Sequence, residues 1–367
     1  MSEIQIKVHK GLAVITLARP QALNALSLDM IKDIRTVLSD MRDDDDIKAV
    51  MFTSENEKAF CAGGDVKSVA MAAKNTDFYD ANILSDNLCY EMFYEEYNLN
   101  HEIADYPKCI ISLIDGICMG GGAGLALHGD FTVVSNAVKF AMPEVFIGFF
   151  PDVGSGYIFN KLPRPTALWL LLTGARISGQ MMHGLGLATH YIESRGIQAL
   201  YKTLLQSDWR RSEAISILKS QLATYCEPPD SKQMPEGMSS ADVHKKAESY
   251  FDADNVPSIL QNLQAASDDQ FALQALESMQ SACPESMVLT LQHMDWARGK
   301  DVATVLENEF RLAQYFVRQP DFYEGVRAVL IEKDGNPQWS SRAEDFQADH
   351  YGRIQERYDE YALFHQE

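Results

Sequence analysis

The sequence has no pair of cysteines at C-x-x-C spacing, no cluster of Cys and His, and no uninterrupted apolar run long enough to cross a membrane. Its six cysteines (Cys61, Cys89, Cys109, Cys118, Cys226, Cys283) are scattered, which argues against a disulfide-stapled scaffold or a cysteine zinc site and for a reducing compartment. The most apolar stretch, Cys109 to Leu127, carries Asp115 and five glycines (Gly116, Gly120, Gly121, Gly122, Gly124), so it reads as a buried strand and a turn. The first residues run straight into an apolar alternating segment without a secretory or arginine-rich leader, and a cytoplasmic placement is the expectation. His128, His183 and His190 have no partner at metal-ligand spacing, and the acidic run Asp43 to Asp46 lacks the spaced ligands, glycine and closing glutamate of a calcium loop. No metal is expected.

Cationic charge is scarce: 32 Lys and Arg stand against 52 Asp and Glu, a net charge of −20. Such a field repels phosphate backbones and anionic lipid. Neither nucleic acid nor a membrane is therefore an expected partner, and any anionic substrate must be received by local backbone dipoles and a few cations. What is present is an ordinary core, 46% hydrophobic and 23% charged residues in a chain of 367, enough for one large domain with an extension or for two domains.

Alternation at Ile4, Ile6 and Val8, a turn at Lys10-Gly11 and the apolar run Leu12 to Leu17 predict a hairpin. Ser27 offers an N-cap to a helix through Met41. Strands are expected at 49–53, 109–114, 131–135 and 139–141, and a long helix from about Phe78 to Ala104. This recurrence of short strands and helices points to a layered or spiral α/β architecture rather than a sandwich. From Pro165 onward helical spacing dominates, and 227–240, rich in Pro, Ser, Gly and charge, is the candidate linker.

Two glycine turns and three acids carry candidate chemistry. Glycine turns at Gly63-Gly64 and Gly120 to Gly122 each follow a strand and precede a helix, so together they could present two backbone N–H donors to a carbonyl oxygen on which charge builds, or simply pack tightly. Glu144 and Asp152 lie among aromatic and aliphatic neighbours, where desolvation would raise their pKa toward the working range of a base, acid or nucleophile; a helix cap and a turn aspartate are the alternatives. Glu96 shares helical spacing with Leu88, Met92, Leu99 and Ile103, so an acid falls on an apolar face or at its rim.

The segments Phe60-Cys61-Ala62-Gly63-Gly64-Asp65-Val66, Gly116-Ile117-Cys118-Met119-Gly120-Gly121-Gly122, Met142-Pro143-Glu144 and Pro151-Asp152-Val153-Gly154 resemble, in order, the 3-hydroxyisobutyryl-CoA hydrolases of the crotonase superfamily. The resemblance continues through Leu187 to Tyr191 and Asp321 to Leu330. It implies a crotonase-like spiral of ββα units: an acyl-CoA-binding catalytic core over 1–226, then a mostly helical region over 227–367 that completes the fold and covers the site. It also implies an oxyanion hole from the N–H groups of Gly64 and Gly121, with Glu144 and Asp152 as catalytic acids. Glu96 would contact the hydroxyl end of the substrate, and Ala62, Gly63, Asp65 and Lys67 would lie on the CoA side. The expected activity is hydrolysis of a small 3-hydroxyacyl-CoA thioester in valine breakdown, without a cofactor beyond the CoA of the substrate; homo-oligomeric assembly stays open. Relatives of the enoyl-CoA hydratase type, the first alternative, carry a glutamate where this chain has Gly124. A non-catalytic acyl-CoA-binding or RNA-binding member of the fold is the second alternative.

Overall fold

The computed structural model describes residues 3–73, 88–210, 214–226, 237–340, 342, 345–346 and 349–364. The initial alternation forms β1 (Ile4–His9) and β2 (Leu12–Leu17), paired antiparallel. The turn between them places Lys10 (φ 47°) and Gly11 (φ 90°) in the left-handed region, as the tightest hairpins require. The helix Leu28–Arg42 starts where Ser27 Oγ accepts from Met30 N at 3.2 Å.

Strands β3 (Ala49–Ser54), β4 (Ala59–Cys61), β5 (Cys109–Ile114), β6 (Ile117–Met119), β7 (Phe131–Ser135), β8 (Lys139–Ala141), β9 (Ile177–Ser178) and β10 (His190–Ile192) complete two sheets. The larger runs β1-β2-β3-β5-β7-β10 and is parallel from β2 onward; the smaller runs β4-β6-β8-β9. Successive strand pairs β3/β4, β5/β6 and β7/β8 thus each give one strand to each sheet. That alternation is the structural form of the recurrence seen in the sequence. Each smaller-sheet strand of these pairs is followed within three residues by a group flagged above: Gly64, Gly121 or Glu144.

The chain groups into two compact units, but not by a single cut near residue 226. One unit gathers Met1–Gly64, Leu99–Phe140 and Arg176–Ser240; the other gathers Asp65–Asn98, Ala141–Ala175 and Ala241–Glu367. The reason is topological: each return to the sheets brings a strand pair to the first unit, while the segments after β4 and β8 pack with the C-terminal helices. Residues 227–236 of the expected linker, and the expected helix start at Phe78, lie outside the described residues; that helix is described over Leu88–Ala104.

In the first unit, Leu12, Val14, Met51, Ile111 and Val133 of the larger sheet are buried with Ile197, Leu200, Leu204, Leu218 and Leu222 of the helices Ser194–Gln206 and Ala214–Tyr225. In the second, Phe149 and Phe150 pack on Phe316 with ring centroids 5.6 and 5.3 Å away, and Phe149 stacks on Phe93 at 5.3 Å. These contacts seat the segment that leads to Asp152. No helix among the described residues is long and apolar enough to cross a membrane.

A buried polar staple fixes the way into β4. Leu23 and Asn24 both have positive φ (51° and 57°). Asn24 Nδ2 donates to Ser54 Oγ at 2.7 Å and to Phe60 O at 3.0 Å, while its Oδ1 accepts from Arg19 N at 2.9 Å. Asn24→Ala strips these partners from buried groups and removes a residue type that tolerates the left-handed region. It is expected to lower stability by on the order of 2 kcal/mol, read as a lower urea midpoint at unchanged slope; an unmoved midpoint would sink this account of the staple.

Candidate active site

In the first unit, β4 and β6 are adjacent and parallel, with Cys61 opposite Cys118. The glycine turns that follow them therefore leave the sheet side by side. A Cβ on Gly63, whose φ is +117°, would sit 4.0 Å from Gly121 N. Leu26 N donates to Gly63 O at 2.8 Å and Ala62 N to Leu23 O at 3.1 Å, so the stapled segment also holds the first turn. On the other side, the helix Gly121–Leu127 is pressed against β4: a Cβ on Gly122 would lie 2.6 Å from Cys61 O. Ala62, Gly63, Gly64 and Gly121 are thus brought together, and the Gly121 N–H is fixed relative to β4 by a backbone contact that no side chain can enter.

In the second unit the three flagged acids are all buried: Glu96 is 3%, Glu144 7% and Asp152 6% exposed. Burial pushes Glu96 and Glu144 well above the usual carboxylate range, and the Asp152 charge pushes both further. Asp152 is raised to about 7, chiefly by burial; the hydrogen bond from Tyr97 opposes that rise and the Glu309 charge adds to it. Three acids that feel one another in this way titrate as a set. Glu96 Oε1 and Glu144 Oε2 have no hydrogen-bond partner among the described residues. A buried carboxyl oxygen left open in this way is costly unless a ligand completes it.

The turn carrying Glu144 is clamped by the Asp321 to Leu330 segment that the resemblance singled out. Glu144–Ile147 form a short 3-10 helix ending at Gly148 (φ 64°). A Cβ on Gly148 would lie 2.2 Å from Asp321 O, and one on Gly325 would lie 2.3 Å from Ile147 C. Cys283 N also donates to Val145 O at 2.8 Å. Backbone thus meets backbone between this turn and the helix Pro320–Val326.

Two other expected residues are placed differently from these. Asp65 Oδ1 accepts from Ser68 N at 3.2 Å in the first turn of the helix Val66–Ala73, an end-capping contact, and Lys67 lies exposed on that helix. Residues passed over in the sequence reading prove central to the acids. Tyr97 donates its hydroxyl to Asp152 Oδ2 at 2.6 Å while wholly buried. Glu309, also wholly buried, accepts from Gly154 N at 2.6 Å, Gly156 N at 3.1 Å and His293 Nε2 at 2.9 Å. A signal for Glu309 was available: it lies between Leu306 and Phe310 in the apolar stripe of the helix Val302–Phe316, an inward acid like Glu96.

Comparison with known proteins accords with this architecture. Residues 12–353 match the model of the enoyl-CoA hydratase/isomerase family. The chain is 39% identical to the mitochondrial 3-hydroxyisobutyryl-CoA hydrolase of Danio rerio, over 91% of this chain and 83% of that protein. It is 37% identical to the Homo sapiens protein of the same name, over 92% and 84%. Among solved structures, a carnitinyl-CoA dehydratase from Mycobacterium thermoresistibile superposes with a TM-score of 0.85 at 29% identity, covering 96% of both chains. An enoyl-CoA hydratase from Rhodobacter sphaeroides superposes with a TM-score of 0.83 at 27% identity, covering 96% and 97%. The fold is therefore crotonase-like, α/β with a helical C-terminal region. The cytoplasmic expectation does not stand, because these curated relatives are named mitochondrial. Scattered free cysteines mark a reducing environment, and mitochondria provide one as the cytoplasm does, so that signal had no power to separate them. The chain belongs to the enoyl-CoA hydratase/isomerase family, in the branch of the 3-hydroxyisobutyryl-CoA hydrolases.

Proposed function

We propose that the protein hydrolyses the thioester of 3-hydroxyisobutyryl-CoA, releasing 3-hydroxyisobutyrate and CoA, and that it serves valine breakdown. The observation that carries the reading is Glu144: a buried carboxyl with raised pKa and one oxygen unpartnered, in a chain whose relatives at 37–39% identity carry that activity in their names. The thioester oxygen accepts from the Gly64 and Gly121 N–H groups, which stabilise the negative charge that grows there. Glu144 acts at the carbonyl carbon, either by attacking it to give a mixed anhydride that water opens, or by taking a proton from the attacking water. Asp152 positions water or protonates the departing thiolate. Glu96, with its open Oε1, accepts from the substrate hydroxyl, and Ala62, Gly63, Asp65 and Lys67 lie toward CoA. Single-turnover hydrolysis in oxygen-labelled water separates the two routes: label in Glu144 requires the anhydride.

The two solved relatives named as a dehydratase and a hydratase favour a second reading, addition of water to an enoyl-CoA. That chemistry draws on a second acid at the position of Gly124, and this chain has no side chain there. The deciding assay sets thiol release from (S)-3-hydroxyisobutyryl-CoA beside hydration of crotonyl-CoA. Rapid thiol release with negligible hydration is expected; hydration without thiol release would replace the hydrolase reading with the hydratase one.

A further inference from the structure

We infer that Glu309, oriented by His293, is a positioning residue for Asp152: its carboxylate grips the backbone of the turn from Pro151 to Gly156 and so sets where the Asp152 carboxyl stands. The inference rests on the hydrolase reading only in assigning Asp152 a part in the reaction.

The turn needs such a grip. Val153 has φ 54° and Gly154 φ 82°, and a β-branched residue in the left-handed region persists only where its surroundings over-determine it. Both oxygens of Glu309 are committed to this turn, Oε2 to Gly154 N and Oε1 to Gly156 N. Gly156 is itself packed so closely that a Cβ would fall 2.6 Å from His293 Nε2.

The hydrogen bonds behind His293 fix its tautomer. Gln355 Nε2 donates to Asn308 Oδ1, which leaves the Asn308 amide N–H to donate to the Tyr351 oxygen. The Tyr351 proton then points to His293 Nδ1 at 2.8 Å, and His293 Nε2–H donates to Glu309 Oε1. Every link has one donor and one acceptor when the proton sits on His293 Nε2. His293 and Glu309 are 1% and 0% exposed, so water does not screen the Glu309 charge.

Glu309 therefore acts on Asp152 in two ways, by geometry through the turn and by its charge. The groups facing Asp152 are Tyr97 and Glu96 from the helix Leu88–Ala104, Glu144 from its 3-10 turn and Glu309 from the helix Val302–Phe316. Glu309 is held by two backbone donors and an imidazole. Its charge adds to burial in raising Asp152, so neutralising it moves Asp152 downward.

The test is Glu309→Gln, whose amide can accept from one backbone N–H but opposes the other with its own NH2 group. We expect kcat for thiol release to fall on the order of 10²-fold, with KM changed by less than about threefold. The pH limb near 7 should move to lower pH, because the Glu309 charge is one of the causes that raise Asp152. His293→Gln, which keeps a donor where Nε2 stands, should recover most of the kcat that His293→Leu loses. Wild-type kcat in Glu309→Gln, or a lost kcat with the limb unmoved, overturns the inference. Amide exchange on the wild-type protein decides the matter even if a variant does not fold or no CoA ester is turned over. Gly154 and Gly156 should exchange as slowly as the core of the helix Val302–Phe316, and fast exchange at both removes the grip. Failure of the hydrolase reading would appear separately, as absence of thiol release in the wild type.

Discussion

Glu144→Gln is expected to lower kcat for thiol release by at least about 10²–10⁴-fold, and toward about 10⁶-fold if the carboxylate is the nucleophile. The substitution keeps the shape and removes both the charge and the basic oxygen, and at Oε2 there is no hydrogen bond among the described residues to lose. Its second signature is in stability. The folded pKa of Glu144 is raised by burial and by Asp152, so the folded protein holds a proton that the unfolded chain releases near pH 4.3. The stabilisation from this group is fully present below that pH and is lost as pH rises through the folded value. Glu144→Gln is free of that loss, so its Tm relative to wild type should improve between pH 5 and pH 8. A variant with more than about a tenth of wild-type turnover would remove Glu144 from the chemistry. One that is active at pH 5 but unfolded at pH 8 would reverse the sign argued here.

The second large effect is expected at Gly122→Ala, a residue that meets no substrate in the proposed mechanism. Its Cβ would stand 2.6 Å from Cys61 O and 2.9 Å from Cys61 Cβ, and a backbone oxygen in a strand cannot swing aside as a side-chain tip can. The helix Gly121–Leu127 must then shift away from β4, carrying the Gly121 N–H with it. We expect a stability loss of about 1–3 kcal/mol and a fall in kcat on the order of 10²-fold, since a displaced oxyanion donor is felt where charge has developed. Gly352→Ala, where a Cβ meets open space in the helix His350–Arg357, is the control and should change neither. Unaltered kcat in a folded Gly122→Ala would show that the second glycine turn is packing alone.

Much of this was legible in the residues because it depends on local pattern. The hairpin, the helix capped by Ser27 and the strands at 109–114, 131–135 and 139–141 fall where alternation and capping place them. Glu144 and Asp152 stood out because acids among aromatics have few ordinary uses. What escaped depends on pairing over distance. β9 and β10 have two and three residues, too few for a period to show, yet β10 completes the larger sheet by pairing with β7 far earlier in the chain. The partner of Tyr97 lies 55 residues away and the two turn N–H groups that Glu309 accepts from lie more than 150 away, and no spacing rule reaches that far.

The interleaving of the two units bears on how the protein comes to be made. When Phe140 leaves the ribosome neither unit is complete: the first lacks β10, and the second lacks the helices that receive Phe149 and hold the Asp152 turn. The stretch from Ala241 onward takes roughly 6–25 s to synthesise at about 5–20 residues per second. Throughout that interval Phe149 and the Asp152 turn lack Phe316 and Glu309, which the helix Val302–Phe316 brings, so the nascent chain exposes apolar rings that the finished protein covers.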